Sequence, residues 1–367
     1  MSNGRTTVML LFGGRSSEHG ISCTSAGNVL RAIDRSRFDV IPVGITPEGR
    51  WLRQPDDPEA MRIVDGTLPR VLDAGNEVMA PLWPGGSFLE QVAGTWQPLP
   101  AVDVVFPILH GPWGEDGTVQ GVLETAGLPY VGSGVLASAA GMDKAYTKMI
   151  LSAAGLSVGR WVDFDARQWR TDREAVRARV AELGLPIFVK PCRAGSSVGV
   201  SKVSRMEDLN DAVAMALQQD PRVIVEAAVS RARELECGVL VGPGAEAKVS
   251  VFGEIRVREG HEFYTFEAKY LDDSVDLIVP AELPPDVEEQ MRRTAVAGFG
   301  ALGCEGLARV DFFLTEGGEA IINEINTMPG FTAISMYPRM WGESGVSYPA
   351  LITALVDDAL QRGVGLR

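Results

Sequence analysis

Gly306-Leu-Ala-Arg-Val-Asp-Phe-Phe-Leu-Thr-Glu-Gly-Gly-Glu-Ala-Ile-Ile-Asn-Glu-Ile-Asn326 reads as two short strands folded back on each other at a Gly-Gly pair. If Gly317 and Gly318 form a two-residue turn, Glu316 pairs with Glu319. Counting outward then sets Asp311 opposite Glu324 and Arg309 opposite Asn326. Side chains alternate with period two, so Arg309, Asp311, Glu324 and Asn326 share one face, while Val310, Phe312, Ile325 and Asn323 point to the other. Facing residues lie about 5 Å apart between Cβ atoms, and like charges at that distance repel unless a cation sits between them. Two carboxylates, an amide oxygen and an adjacent arginine suit Mg²⁺ that carries phosphate, whereas a zinc site would draw on His or Cys. Taken alone, the hairpin is more simply read as a solvated polar face balanced by Arg309. The rest of the chain has to decide between the two.

The 367 residues suffice for two or three domains. A net charge of -14 argues against a general nucleic-acid or anionic-membrane binder, since neutralising a phosphate backbone needs clustered Lys and Arg. No segment approaches a membrane span. The first apolar run, Val8 to Phe12, is too short for a signal-peptide core and runs into Gly13-Gly14, so it reads as a buried strand and the cytosol is the expected compartment. Cys23, Cys192, Cys237 and Cys304 are far apart and form no C-x-x-C pair, which predicts buried free thiols rather than a disulfide framework or a zinc site. The histidines are His19, His110 and His261, and no H-E-x-x-H occurs, which disfavours zincin chemistry.

Along the first third, strand Val8 to Phe12, a helix near Ser22 to Ile33, strand Asp39 to Ile45 and strand Val102 to Leu109 alternate as in a parallel sheet with helices on its faces. The Pro- and Gly-rich stretch from Gln54 to Pro100 reads as an irregular elaboration of that domain. Gly132-Ser-Gly134 interrupts the pattern and a long helix-like stretch follows to about Ala154. The middle third carries an amphipathic helix with Val176, Val180 and Leu183 on one stripe, strand Pro186 to Lys190 and a Gly/Ser-rich loop. A helix then opens on Ser204-Arg-Met-Glu207, read as a capping box, and strand Val223 to Val225 ends at Glu226. Strands near Cys237 to Val241 and Ala247 to Val251, a polar loop from Gly253 to Pro280 and helix Val287 to Leu302 lead into the hairpin. The expected domains are 1–131, 132–229 and 230–367. No internal repeat is visible.

No Gly-Lys pair exists, so there is no Walker A loop and a nucleotide must bind another way. Phe188-Val-Lys-Pro-Cys-Arg-Ala-Gly-Ser-Ser-Val-Gly199 places Lys190 at a strand end before a loop rich in backbone N–H donors, where Gly195 and Gly199 permit close approach to phosphate oxygens. An ordinary turn with a solvent-facing lysine fits the same residues. Glu226 and Glu234 could accept hydrogen bonds from a base amine or from ribose hydroxyls. A second polar cluster, Gly13-Gly-Arg-Ser-Ser-Glu18 and His110-Gly-Pro-Trp-Gly-Glu-Asp-Gly117, falls after two expected strands, where open α/β sheets bind ligands. There a carboxylate such as Glu18 could hold an ammonium group and His110 a carboxylate.

With these motifs in view the chain resembles the D-alanine–D-alanine ligases of the ATP-grasp superfamily. The resemblance runs from Phe12-Gly-Gly-Arg-Ser-Ser-Glu-His19 through His110-Gly-Pro-Trp-Gly-Glu-Asp-Gly117, Gly132-Ser-Gly134, Met142-Asp-Lys144 and Lys190 to Gly199. It continues through Glu267-Ala-Lys-Tyr270, Arg309-Val-Asp311 and Asn323-Glu-Ile-Asn-Thr-Met-Pro-Gly330 to Ser335-Met336. Only the stretch from Gln54 to Pro100 lacks a matching motif.

The resemblance implies an α/β fold with α+β elements, a three-domain ATP-grasp architecture whose N-terminal domain carries the parallel sheet. It implies ATP between the central and C-terminal domains, with Lys144, Lys190 and Ser197 at the phosphates, Glu226 near the adenine, Glu234 near the ribose and Tyr264 in the covering loop. Asp311, Glu324 and Asn326 would hold two Mg²⁺ or Mn²⁺. Glu18, linked to Ser196 and Tyr270, would hold the first amino group, and His110 would lie beside that substrate. Arg309 and the Gly330 N–H would stabilise the oxyanion, and Ser335, Lys269 and Met336 would meet the second substrate. A cytosolic homodimer is expected. Gly20 stands where the family motif commonly has a second Glu, and Ala194 where some members have Glu. A D-Ala-D-lactate or D-Ala-D-Ser ligase is the neighbouring alternative. Tyr270 speaks against the first, since the loop pattern differs in lactate-forming relatives. An inactive nucleotide-binding regulator, the alternative from another class, need not keep Lys190, Arg309, Asp311, Glu324 and Asn326 together.

Overall fold

The computed structural model describes residues 4–195, 198–257, 275–332 and 334–365. Its first sheet is built from β1 (Thr6–Gly13), α1 (His19–Ala32), β2 (Phe38–Ile45), β3 (Trp51–Arg53) and, beyond a small three-stranded sheet of β4 (Val78–Met79), β5 (Leu89–Val92) and β6 (Thr95–Pro98), β7 (Val104–Pro107). The order is β3-β2-β1-β7, with β1 parallel to both β2 and β7. Met9 to Leu11 and Val104 to Phe106 are fully buried, because helices and loops cover both faces of a parallel sheet and leave no polar side to alternate with. The carboxyl ends of β1 and β7 therefore open side by side, and the loops 13–18 and 108–117 project from them.

The elaboration expected from Gln54 to Pro100 packs where α1 and the sheet lack side chains. A Cβ on Gly20 would lie 2.6 Å from the Leu68 Cβ, one on Gly27 2.7 Å from the Met61 Cβ, and one on Gly44 2.7 Å from Val71. The Gly20 departure thus has a steric companion, since Leu68 occupies the space a side chain would need.

After α2 (Thr118–Ala126), the single helix expected before Ala154 is two, α3 (Val135–Met142) and α4 (Lys144–Ala153). Asp143 adopts an extended backbone between them, and its carboxylate accepts the N–H groups of Ala145 and Tyr146, so an N-cap restarts the helix. Next come β8 (Trp161–Asp165), α5 (Ala166–Thr171), α6 (Arg173–Ala181), β9 (Ile187–Pro191), β10 (Ser201–Val203), α7 (Leu209–Leu217) and β11 (Arg222–Ala227). They form an antiparallel sheet of order β10-β9-β11-β8. The capping box does not form: a 3-10 turn over Met206–Asp208 precedes α7, and neither its first residue nor that of α7 is capped by a side chain.

The last sheet has the order β14-β13-β12-β15-β16, from β12 (Arg233–Leu240), β13 (Lys248–Val257), β14 (Val275–Ile278), β15 (Leu307–Leu314) and β16 (Ala320–Asn326), with α8 (Pro285–Ala301) between β14 and β15. Strand structure thus reaches into both ends of the stretch expected as a loop from Gly253 to Pro280. Glu254 and Arg256 flank Ile255 there, and Asp276 precedes Leu277, a polar-apolar alternation that marks a strand rather than a loop. Helices α9 (Met336–Glu343) and α10 (Tyr348–Arg362) close the chain. Leu351, Ile352, Leu355 and Val356 of α10 share one hydrophobic core with Val8, Leu10, Phe12 and Phe106. All four cysteines are free and buried. Among the described residues no helix is long and apolar enough to cross a membrane.

Candidate active site

The hairpin sets Asp311 opposite Glu324 and Arg309 opposite Asn326, as the parity count predicts, but by two offsets that cancel. Thr315 N–H donates to Glu319 O and Gly318 N–H to Thr315 O, so the loop holds three residues, with Gly318 at φ +81°, and pairs Leu314 with Ala320. A register shift between Asp311 and Phe312 then skips Asn323 and restores the expected pairing. Ile322 and Ile325 both enter one core, which strict alternation forbids and one bulged residue allows. The Ile322 N–H meanwhile bonds Ser157 O at 2.9 Å, pairing the other edge of β16. Asn323, expected on the core side, lines the cleft instead.

A third carboxylate joins the pair. Glu236 on β12 lies opposite Asp311, so Glu236, Asp311 and Glu324 form a row across three strands. Arg309 serves all three. Its Nε and Nη2 donate to Asp311 at 2.7 and 2.6 Å, and it lies 3.3 Å from Glu236 Oε2 and 3.7 Å from Glu324 Oε1. Burial raises Asp311, Arg309 opposes that, and Glu236 and Glu324 add to it, leaving the carboxyl at about 8. One guanidinium cannot neutralise three acids, so the shift belongs to the cluster rather than to one residue. The Asn326 Oδ1 accepts the Met328 N–H at 3.1 Å. Among the described residues no three His, Cys, Asp or Glu side chains converge as a ready-made metal cage. A row of hard oxygen donors, open on one side, fits a divalent ion that keeps water or phosphate oxygens as further ligands.

Facing this row across a cleft of about 630 Å³ are the first-domain loops, a volume in the range of small-molecule sites. Glu18 is buried at the start of α1. His110 is buried too: its Nδ1 lies 3.1 Å from Met328 O and its Nε2 3.1 Å from Ser25 Oγ. A carbonyl can only accept, so Nδ1 carries the proton and Nε2 accepts from the Ser25 hydroxyl. Burial lowers its pKa despite Glu18 and the Met328 carbonyl. His110 therefore braces the cleft wall as a neutral ring, with both nitrogens engaged. His19 works similarly, its Nδ1 donating to Gly14 O at 2.7 Å and its Nε2 accepting the Val71 N–H at 3.1 Å.

Glu115, which sequence reasoning passed over within its own motif, accepts the Gly111 N–H at 2.6 Å and lines the cleft. Burial and the neighbouring Glu18 raise its carboxyl to about 8. The glycine-rich loop after β9 meets these loops directly, since a Cβ on Gly195 would fall 2.2 Å from Glu18 Oε2. Lys144 Nζ donates to Ala194 O at 2.7 Å and tethers the same loop.

Lys190 Nζ donates to Glu226 Oε2 at 2.6 Å, and Lys148, unnoticed in the sequence, lies 3.3 Å from Glu226 Oε1. Burial would raise Glu226, but the two ammonium groups outweigh it and hold the carboxyl at about 2. The signal for Lys148 was present: Ala145, Lys148 and Leu151 share one buried stripe of α4. Glu234, Gly330, Ser335 and Met336 also line the cleft, and Ser335 Oγ accepts the Thr332 N–H at 3.0 Å. Ser196, Ser197, Tyr264, Lys269 and Tyr270 lie outside the described residues.

Comparison with known proteins agrees in both halves of the chain. Residues 7–133 match the family model for the D-ala D-ala ligase N-terminus and residues 150–357 that for its C-terminus. A D-alanine–D-alanine ligase from Mycolicibacterium smegmatis is 56% identical over 371 aligned positions, covering 99% of this chain and 98% of that one. Among solved structures, the VanG D-Ala:D-Ser ligase from Enterococcus faecalis superposes with a TM-score of 0.82 at 35% identity, covering 97% of this chain and 99% of its own. The D-alanine–D-alanine ligase from Coxiella burnetii gives 0.81 at 34%, covering 98% and 95%. With its parallel first sheet, its acidic hairpin and these matches along its length, the chain belongs to the D-alanine–D-alanine ligase family.

Proposed function

We propose that the protein joins two D-alanine molecules into D-alanyl-D-alanine for peptidoglycan synthesis, converting ATP to ADP and phosphate. The observation that carries this reading is that one cleft gathers Glu18 and His110 from the first domain, Lys144, Lys190 and Glu226 from the middle, and Arg309, Asp311, Glu324 and Asn326 from the last sheet. Two substrates and a nucleotide need all three walls. The carboxylate of one D-alanine attacks the γ-phosphate, giving an acyl phosphate and ADP. The amine of the second then attacks that carbonyl and phosphate leaves.

Glu18 receives the first ammonium, with Ser196 and Tyr270 as its partners, and His110 backs that subsite. Lys144, Lys190 and Ser197 hold phosphates, Glu226 and Glu234 face the adenine and ribose, and Tyr264 belongs to the covering loop. Asp311, Glu324 and Asn326 would hold Mg²⁺ or Mn²⁺, which supplies positive charge at the transferring phosphoryl group. Arg309 would act with the Gly330 N–H on the oxyanion. Lys269, Ser335 and Met336 belong to the second-substrate subsite. The division at 131/132 and 229/230 and a cytosolic homodimer complete the reading; each of the three larger sheets lies within one of those segments.

The test is ADP release with Mg²⁺, ATP and D-alanine, repeated with D-serine or D-lactate added and the product identified by mass. The dipeptide should dominate. No ADP release from folded protein with D-alanine would sink the activity, and a preferred mixed product would sink the specificity.

A further inference from the structure

We propose that Lys148 is a positioning residue for the phosphate end of the nucleotide site, a buried second counter-ion that keeps Glu226 neutralised when Lys190 turns from it to phosphate. This rests on the reading of Lys190 as a phosphate ligand. Lys190 and Glu226 line the cleft; among the described residues Lys148 is not part of its wall. It reaches Glu226 from behind, from the buried stripe of α4, with its side chain 3% exposed.

The two carboxylate oxygens are divided, Oε1 to Lys148 at 3.3 Å and Oε2 to Lys190 at 2.6 Å. Lys190 faces Ile224, so Glu226, two residues further along β11, projects from the same sheet face within reach of the lysine. A one-to-one pair with Lys190 would already neutralise Glu226, and a second buried ammonium adds a desolvation cost the pair does not require. What it changes is the state of Glu226 after Lys190 departs. Glu226 is buried and ionised, so without Lys148 any move of Lys190 toward a phosphate oxygen strands a buried charge. With Lys148 present, the cluster carries one net positive charge, and Lys190 is the member that can spend it on the cleft.

The test compares Lys148→Met, Glu226→Gln and the double variant with wild type, measuring ADP binding by titration calorimetry and the KM values for ATP and D-alanine. Lys148→Met should weaken ADP binding and raise the KM for ATP about tenfold, with the KM for D-alanine within about twofold. Adding Glu226→Gln should cancel the loss, because the amide no longer holds Lys190 back, so the double variant should bind ADP like Glu226→Gln alone. Unchanged ADP binding by folded Lys148→Met, or losses that simply add in the double variant, would overturn the inference and leave Lys148 a packing residue. If Lys148→Met does not fold, the double variant, which buries no stranded carboxylate, is set against Glu226→Gln, and a further drop in ADP affinity is the overturning result. Failure of wild type to bind ADP would sink the nucleotide reading and this inference together, whereas wild-type binding with an unaffected Lys148→Met sinks the inference alone.

Discussion

Arg309 sits among Glu236, Asp311 and Glu324 with too little charge for all of them, and that imbalance makes the cleft sensitive to single substitutions. Glu324→Gln removes a carboxylate from the row, so the Mg²⁺ concentration for half-maximal rate should rise roughly tenfold, while the melting temperature holds or rises because repulsion is relieved; titration of activity against Mg²⁺ with parallel melts checks both. Glu115 makes the protein sensitive to pH. Its carboxyl is raised from 4.5 to about 8, so between those values the folded chain keeps a proton that the unfolded chain has released, and stability falls as pH rises through that interval. Glu115→Gln should flatten the decline between pH 5 and 8, a difference on the order of 2 kcal/mol once partial exposure is allowed for, read from denaturant melts at each pH. Gly195→Ala would drive a Cβ into the Glu18 carboxylate, and should raise the KM for D-alanine with little change in the melting temperature, since the displaced groups belong to loops.

At the scale of elements, the hairpin shows how far strand parity carries. Asp311 and Glu324 were legible because charged and apolar residues alternate around them. The loop length and the Asn323 bulge were not, because each shifts the register by one and their sum leaves the distant pairing unchanged. The pairing of β12 beside β15, which adds Glu236, joins segments some seventy positions apart in the chain, and no local pattern encodes it. Helix α1 poses a packing problem of the same kind. Leu68 fills the space beside Gly20, so Gly20→Ala should destabilise the protein by about 1–3 kcal/mol through overpacking. Leu68→Gly in the same chain should recover at least about 1 kcal/mol as a coupling term, since the two sites touch; denaturant melts of the single and double variants give that term directly.

For the whole molecule, the last helix ties the end of the chain to the first sheet. The α10 leucines complete the core begun by β1 and β7, and Arg362 spans three segments, donating to Asp358 Oδ2 at 2.7 Å, Glu305 Oε2 at 3.0 Å and Gly132 O at 3.5 Å. Arg362→Ala takes that guanidinium from the buried Asp358, at a cost on the order of 2 kcal/mol given its partial exposure. Melting should shift downward accordingly, with the KM values for D-alanine and ATP near wild type, because Arg362 does not line the cleft.

The sequence by itself determined most of the strands and helices and the facing of Asp311 with Glu324, because strand period and turn residues act over a few positions. It also determined the family, because the first-domain loops, Lys190 and the acidic hairpin keep their order along nearly the whole chain. Only the tertiary structure decided that Glu236 joins the acidic row, that His110 is a neutral brace, that Lys148 shares Glu226 with Lys190 and that Leu68 stands beside Gly20. Each of those depends on which surfaces meet when sheets and helices pack, and on the burial and charge that the meeting imposes.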